Sequence, residues 1–340
     1  MSGKRFRVID IAKGLGIILV ILGHSLKQTE VDAKWIRILI CLIYSFHMPL
    51  FFVLSGFLAH RILYLKNYQE RRRYLGDRAF RLLVPYFVIG LMYIPVKLKL
   101  GRYAVKPFRA RDIILILAGR NPDVSLWFLY VLFAVTAITV LFVSETNFRS
   151  VLYGAGALCA ASWWVNIPIR TPKYLFFFLA GIWLRLKYED LRKAEEEYLF
   201  EGQTVIAFLA GIVFLVLNRY YYRTSIRILL LGASVCGIYA TLWFSELLLR
   251  RRPDSRLVRV LEQGGVYSMD IYILHEPVMT LAKLLLYTKL GMNYIAATLL
   301  IFLCAILIPV PVSRGIIRKV PVLRMLLLGI REKKEKKESA

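Results

Sequence analysis

Separate apolar runs, each about as long as a bilayer is thick, constrain this chain more than any other feature of its sequence. A helix needs about 20 apolar residues to cross the hydrocarbon core, or somewhat fewer when its ends are polar. Such runs lie at 9–26, 35–63, 80–97, 125–143, 150–166, 171–188, 203–218, 226–249, 266–288 and 293–313. Because lipid offers no hydrogen-bond partner to an open backbone, the runs predict an all-α, polytopic transmembrane helical bundle of about ten spans.

The composition agrees with a membrane protein and limits the partners. Hydrophobic residues make up 58% of the 340 positions, which is too many for an ordinary soluble domain. The formal net charge is +25, an excess that also occurs in nucleic-acid-binding proteins. Here the Lys and Arg residues stand between apolar runs, which indicates topology signals and contacts with anionic membrane lipids. We therefore expect no nucleic-acid partner.

The distribution of positive charge predicts the orientation and the domain limits. Basic clusters at 71–78, 185–193, 250–252 and in the final residues place both termini in the cytoplasm, in a multi-pass protein of the inner membrane. The basic segment 97–111 falls on the opposite side, which either a substrate-binding surface or a miscounted span would explain. The run at 112–119 is short and predicts an interfacial or re-entrant piece. We expect a transmembrane domain over 1–314, a basic and partly amphipathic cytoplasmic tail over 315–340, and no soluble extracytoplasmic domain.

Several familiar kinds of site are missing from the sequence. It contains no Walker loop, G-x-S-x-G elbow or H-E-x-x-H pair. The cysteines stand singly in separate apolar runs, without C-x-x-C spacing, so neither a zinc site nor a disulfide framework is expected. They are Cys41, Cys159, Cys236 and Cys304.

The first apolar run carries three ionisable residues, Asp10, Lys13 and His24. Each would cost several kcal/mol in lipid unless it were paired or faced a polar interior. Lys13 and His24 are eleven positions apart, which places them on one helix face about 16 Å apart along the axis. Asp10 and Lys13 are three apart and can satisfy one another. The first span is therefore predicted to line a working interior.

The second run contains His47, with Pro49, Ser55 and Gly56 after it. Histidine is the side chain best suited to moving protons near neutral pH, so His24 and His47 are candidates for proton transfer, whereas His60 lies at a boundary. The proline and the glycine fit either a bent, packed helix or a broken span that lines a cavity.

Two further groups of charged residues are candidates. Arg78 and Arg81 share a helix face and can grip phosphate groups, although an inner membrane boundary attracts arginine without any such role. His275 and Glu276 lie in the ninth run, with Asp270 about a turn earlier. As neighbours they point about 100° apart, but either can meet Lys13 or His24 across the bundle.

Five motifs in order resemble the acyltransferase-3 family of membrane acyltransferases, and most closely its fucose 4-O-acetylase-like branch. They are D-x-x-K-G at 10–14, G-H-S at 23–25, F-H-M-P-L-F-F-x-L-S-G-F at 46–57, R-x-x-R-L-L-x-P-Y at 78–86 and W-F-L at 127–129. The match is dense over about the first 130 residues and sparse later, where Y-I-L-H at 272–275 is also similar.

The resemblance implies an enzyme that moves an acyl group, usually acetyl from acetyl-CoA on the cytoplasmic side, to a hydroxyl of a carbohydrate or cell-surface glycan. The family's basic residue and histidine map onto Lys13 and His24, its arginine pair onto Arg78 and Arg81, and its Ser-Gly pair onto Ser55 and Gly56. From this resemblance we expect His24 to act as general base and Lys13 to stabilise charge or contact the donor, with Asp10 and His47 also in the catalytic group. His47 is either a second proton carrier or part of the cavity wall. The donor-binding residues are expected to be Arg78, Arg81, Ser55 and Gly56, and no metal is expected to take part.

Some alternatives stay open from the sequence. Intramembrane His, Lys and Asp residues also occur in transporters, so a secondary transporter or flippase for a carbohydrate or lipid-linked intermediate is the competing hypothesis. The residues leave both direct transfer and an acyl-enzyme possible, and they do not indicate an oligomeric state.

Overall fold

A computed structural model describes residues 6–27, 33–100, 114–165, 170–193, 200 and 202–331, with the side chains at 96–100, 191–193 and 288 left out. Within these residues the chain forms α-helices joined by short 3₁₀ and π turns. The helices are α1 Arg7–Lys27, α2 Lys34–Ala59, α3 Tyr68–Leu100, α4 Ile114–Leu117, α5 Trp127–Phe142, α6 Phe148–Trp164, α7 Thr171–Lys193, α8 Thr204–Thr224, α9 Leu229–Arg251, α10 Arg256–Val266, α11 Ser268–Lys283, α12 Tyr294–Leu307, α13 Pro309–Val312 and α14 Pro321–Leu328.

The predicted all-α polytopic class is confirmed. Among the described residues, seven helical segments are long and apolar enough to cross a membrane, and they lie at Arg7–Lys27, Lys34–Tyr64, Tyr68–Pro95, Val124–Phe142, Thr204–Thr224, Leu229–Arg251 and Tyr294–Ile317. The three remaining predicted runs are α6, α7 and α11, which are helical but too short or too polar to qualify on their own. The third helix also begins twelve residues before its apolar run, so the basic cluster at 71–78 forms its first turns.

The segment before α5 packs against α3, and its helix α4 lies in the short run that the sequence assigns to an interfacial or re-entrant piece. Ile116 in α4 is buried, and its carbonyl accepts a hydrogen bond of 2.9 Å from the Tyr86 hydroxyl. The Asn121 side-chain amide donates a second hydrogen bond between these segments, to the Tyr86 carbonyl at 2.8 Å. The basic residues 101–111, which disagreed with the predicted orientation, lie outside the described part of the chain.

Glycine pairs allow close backbone contact at two helix crossings. Where α1 meets α10, a Cβ on Gly14 would overlap the Leu261 carbonyl, and a Cβ on Gly265 would overlap the Asp10 carbonyl. Close contact between backbones is a usual way for helices to pack in lipid, where the hydrophobic effect does not drive association. The first span is therefore held at its amino-terminal end by backbone contact.

The same arrangement joins α2 to α7. A Cβ on Gly56 would overlap the Phe178 carbonyl, and one on Gly181 would overlap the Val53 carbonyl. Gly56, predicted as a donor-binding residue, is thus accounted for by helix packing in this structure.

Pro49 does not break α2, which continues from Lys34 to Ala59. Proline lacks the N–H that would bond to the carbonyl four residues earlier, so the Ser45 carbonyl loses its helical donor. The Ser234 hydroxyl of α9 supplies a replacement at 2.6 Å and lies 2.7 Å from the Leu230 carbonyl of its own helix. The structure therefore has a packed, continuous helix here and not a broken span.

The residues after α12 pack on the bundle. Asp270 of α11 is fully buried and accepts hydrogen bonds from Ser313 at 2.5 Å and from Arg318 at 2.7 and 3.1 Å. The chain then enters α14, which lies against α3, and Arg331 forms an ion pair of 3.2 Å with Asp77. Residues 315–331, the described part of the predicted tail, are therefore attached to the helices that carry the candidate site.

Candidate active site

A cavity of about 210 Å³ lies between α1, α2, α3, α5, α7 and α11. Four of the residues singled out in the sequence line it: Lys13 from α1, Ser55 from α2, and Arg78 and Arg81 from α3. These residues come from parts of the chain up to 68 positions apart, so the fold brings them together. One end of the cavity thus carries three cationic side chains.

The contacts of these cations keep them at the cavity wall. The Arg78 Nε donates to the Tyr74 hydroxyl at 3.1 Å, and its guanidinium lies over the Tyr74 ring. The Arg81 guanidinium donates to the Leu328 carbonyl at the end of α14. Since a guanidinium has five N–H donors, these single contacts leave capacity for an anion.

Lys13 has an acidic neighbour on its own helix. Its Nζ lies 3.9 Å from an Asp10 carboxylate oxygen, as the spacing of three predicted. Asp10 is buried at the α1–α10 crossing and does not line the cavity.

Away from the cations the cavity wall is mostly apolar. Val20, Met48, Phe51, Phe128 and Leu132 form this part of the lining. Val20 precedes His24 by four residues, so the cavity runs along the face of α1 from Lys13 to within about one turn of His24.

His24 meets α11 at the other end of this face. Its Nδ1 lies 3.7 Å from Glu276 Oε2, and its ring packs edge-on against the His275 ring with centroids 5.2 Å apart. The His24 and Glu276 side chains are 26% and 22% exposed, while the Oε2 atom that faces His24 is buried. A movement of about 1 Å would bring Nδ1 and Oε2 to hydrogen-bond distance.

His275 is fully buried, and its hydrogen bond fixes its tautomer. Its Nδ1 lies 2.6 Å from the Tyr272 carbonyl. A carbonyl oxygen only accepts hydrogen bonds, so Nδ1 carries the proton and Nε2 of the neutral ring has a lone pair. That Nε2 lies 4.0 Å from Glu276 Oε2 and has no hydrogen-bond partner among the described residues.

His47 is next to Tyr44, whose ring neighbours His24. It is buried, its Nδ1 donates to the Ile43 carbonyl at 2.7 Å, and its ring packs edge-on against Tyr44. Tyr44 in turn has its ring 6.3 Å from that of His24. His47 thus contacts the Tyr44 ring, which is next to His24, and its role in proton transfer stays a prediction from the sequence.

The sequence left the partner of His24 open between several residues. The structure pairs His24 with Glu276, while Lys13 stays with Asp10 at the opposite end. The only signal for Glu276 was an ionisable side chain in an apolar run. Tyr44 gave no signal, because aromatic residues are common in membrane helices, and Tyr272 was noted only as the first residue of the Y-I-L-H segment at 272–275.

His24, His275 and Glu276 together also have the composition of a metal site. Their ligand atoms, two imidazole nitrogens and a carboxylate oxygen, lie within 4.8 Å of one another.

Comparison with known proteins shows the family of this chain. A family model described as an acyltransferase domain, that of the acyltransferase-3 family, matches residues 6–314. Two curated relatives are each named nodulation protein NolL. The one from Sinorhizobium fredii (strain NBRC 101917 / NGR234) is 31% identical over 184 residues, which are 52% of this chain and 48% of the relative. The one from Mesorhizobium japonicum (strain LMG 29417 / CECT 9101 / MAFF 303099) is 38% identical over 87 residues, which are 25% of this chain and 22% of the relative.

The matched segment thus covers less than half of either relative. No solved structure matches the chain significantly. The family model, in contrast, covers nearly the whole chain, including the cavity and the His24 cluster. The chain belongs to the acyltransferase-3 family of membrane acyltransferases.

Proposed function

We propose that this chain transfers an acyl group, most simply acetyl, from acyl-CoA to a hydroxyl of a carbohydrate or cell-surface glycan. One observation carries the proposal. A single face of α1 holds Lys13 in a cavity with Arg78 and Arg81, and holds His24 against Glu276 about 16 Å further along. Anion-binding cations and a proton-accepting pair are the two parts that such a reaction needs.

The cationic end suits the phosphates of the donor. Arg78 and Arg81 each present a planar group that can hold two phosphate oxygens, and Lys13 adds a point charge. The apolar wall from Phe51 to Val20 suits the uncharged pantetheine arm, whose length would carry the thioester toward His24.

At the other end His24 acts as general base. As the acceptor oxygen attacks the thioester carbonyl carbon, the His24 imidazole takes the hydroxyl proton. The intermediate collapses with cleavage of the carbon–sulfur bond, and the imidazolium returns its proton to the CoA sulfur. The Glu276 carboxylate, 3.7 Å away, stabilises the imidazolium while it exists.

The charge distribution supports an orientation for this reaction. With both termini in the cytoplasm, the Lys13 end opens toward cytoplasmic acyl-CoA and His24 lies toward the outer face of the inner membrane. Family membership favours this acyltransferase over the transporter that the intramembrane charges alone would also allow.

The first experiment tests the base in cells. Glycans from the parent strain, a deletion strain, and the deletion strain carrying wild-type, His24→Gln or His60→Gln protein are compared by mass spectrometry. We expect the wild type and His60→Gln to restore the mass of one acyl group and His24→Gln to leave it missing, since general bases contribute about 10²–10⁴-fold. His60 is the matched control because it pairs with Glu189 outside this cluster. Full restoration by His24→Gln would remove His24 from the mechanism, and a glycan profile that the deletion does not change would refute the acceptor class.

The second experiment tests the donor end. Binding of radiolabelled CoA to purified protein in detergent is measured for Arg78→Ala, Arg81→Ala and the control Arg73→Ala, an exposed residue of the same helix. Each of the first two should weaken binding by about tenfold or more, because a charge-assisted hydrogen bond is lost. Pantetheine, which lacks the phosphates, should compete equally well in all variants. Unchanged CoA affinity in both cavity variants would contradict the assignment.

A further inference from the structure

We propose that His24, His275 and Glu276 form a three-ligand site for Zn²⁺, and that an ion bound there blocks acyl transfer. The blocking part rests on the proposed function, in which His24 is the base. The metal-binding part does not, because it follows from the ligands alone.

The ligand set is one that zinc prefers. Two imidazoles and one carboxylate, with a fourth position left open, are a recurring catalytic arrangement for this ion. In this chain Glu276 Oε2 lies 3.7 Å from His24 Nδ1 and 4.0 Å from His275 Nε2. All three ligand atoms lie within 4.8 Å of one another.

His275 already has the hydrogen bond and the tautomer expected of a metal ligand. Metal-bound histidines usually donate the N–H of their other nitrogen to a carbonyl or carboxylate, which fixes the ring and its tautomer. His275 does so through its Nδ1 to the Tyr272 carbonyl, at 2.6 Å. Its Nε2 is buried without a hydrogen-bond partner among the described residues, and a buried polar atom in that state is costly. A cation between His275 and Glu276 would satisfy it.

The movement required is small. Zinc bonds of about 2.0–2.1 Å place tetrahedral ligand atoms about 3.3 Å from one another. The separations in this structure exceed that value by about 1.5 Å at most. His24 and Glu276 supply the freedom, since their side chains are 26% and 22% exposed, whereas the Oε2 atom of Glu276 is itself buried.

An ion bound at this position prevents His24 from acting as the general base. In the proposed reaction the His24 Nδ1–H faces Glu276 and the Nε2 lone pair takes the proton. Zinc takes the lone pair of Nδ1 instead, so the ring proton moves to Nε2. A metal-bound imidazole with N–H at its other nitrogen accepts no proton from a hydroxyl near neutral pH, and Glu276 is held by the metal at the same time.

The test uses Co²⁺ as a coloured probe for the zinc site, on full-length protein in detergent with a purification tag that contains no histidine. We expect one Co²⁺ per chain, a visible absorption band typical of tetrahedral coordination, and its loss when Zn²⁺ is added. His24→Gln, His275→Gln and Glu276→Gln should each weaken binding at least about tenfold, since even outer-shell changes cost 10–100-fold. His60→Gln, which changes a histidine ion-paired with Glu189, should bind as the wild type does. Absence of binding, or equal binding in the three ligand variants, would overturn the site.

A second measurement needs no variant and so does not depend on folding. The wild type is treated with diethyl pyrocarbonate with and without Zn²⁺, and modified histidines are quantified by mass spectrometry. Zinc should protect His24 and leave His60 unchanged. Equal modification of His24 in both samples would overturn the site. In the transfer assay, Zn²⁺ should inhibit at the concentrations that displace Co²⁺, and transfer at full rate with the site saturated would overturn the blocking role. Because Co²⁺ binding is measured without substrates, a failed transfer assay leaves it intact.

Discussion

Replacing Glu276 by Gln removes one charge next to His24 while keeping the size of the side chain. At 3.7 Å a carboxylate and an imidazolium attract by about 4 kcal/mol in an effective dielectric of about 20. The two side chains are 22% and 26% exposed, so solvent screens part of this attraction. We expect about 2–3 kcal/mol of it to stabilise the transition state, which corresponds to about a 30- to 150-fold lower kcat.

The effect should fall on kcat alone. In the proposed function Arg78 and Arg81 bind the donor together with Lys13, which lies about 16 Å along α1 from His24, so KM for acetyl-CoA should change less than threefold. The measurement is release of CoA thiol by purified protein with a glycan fraction from the deletion strain as acceptor. Loss of interactions made only in the transition state gives this pattern.

Glu189→Gln is the matched control, because Glu189 also pairs with a histidine but at His60, away from the cavity. It should retain kcat within about twofold of the wild type. A kcat for Glu276→Gln within threefold of the wild type would show that the carboxylate does not act on His24. A loss expressed only in KM would instead assign Glu276 to substrate binding.

Three further predictions follow from other parts of the fold. Val20→Trp should fill the cavity between its two ends. Radiolabelled CoA should still bind, while transfer should fall by at least about 100-fold. Unchanged transfer would refute the proposed path of the acyl group along α1. Gly181→Leu should destabilise the α2–α7 crossing by about 3 kcal/mol or more, measured as thermal unfolding in detergent. Gly211→Leu should not, because a Cβ at Gly211 has no neighbour within 4 Å among the described residues. Asp270→Asn should cost about 2–3 kcal/mol in the same assay because it removes a buried ion pair with Arg318, and equal stability would contradict that pairing.

The sequence predicted the first span well because its signals are local. The spacing of Lys13 and His24 defines a helix face whatever the rest of the chain does, and the structure keeps both residues on one continuous helix. Arg78 and Arg81 were found for the same reason, since they are three positions apart on α3. Their shared cavity with Lys13 follows from the family motif order and from no local pattern.

Contacts between distant helices could not be predicted in this way. Asp270 was noted as an ionisable residue, yet its partner Arg318 lies 48 positions later, beyond the last span. Gly56 was assigned to the donor through the resemblance to the family's Ser-Gly pair. A glycine allows either a ligand or a backbone to approach, and its backbone neighbour is known only once the position of α7 is known. The choice of Glu276 as the neighbour of His24 depends likewise on how α11 is rotated.

The distance between the two ends of the site has a physical advantage. A cation about 4 Å from a protonated His24 would repel it by about 4 kcal/mol in a dielectric of about 20, whereas Lys13 at about 16 Å repels it by about 1 kcal/mol. The cations can therefore bind phosphates strongly without weakening the base. The cost is that the acyl group must travel along the face of α1, and the apolar residues between Lys13 and His24 make that path suitable for an uncharged arm. The same residues limit water near the thioester, which would otherwise compete with the acceptor hydroxyl.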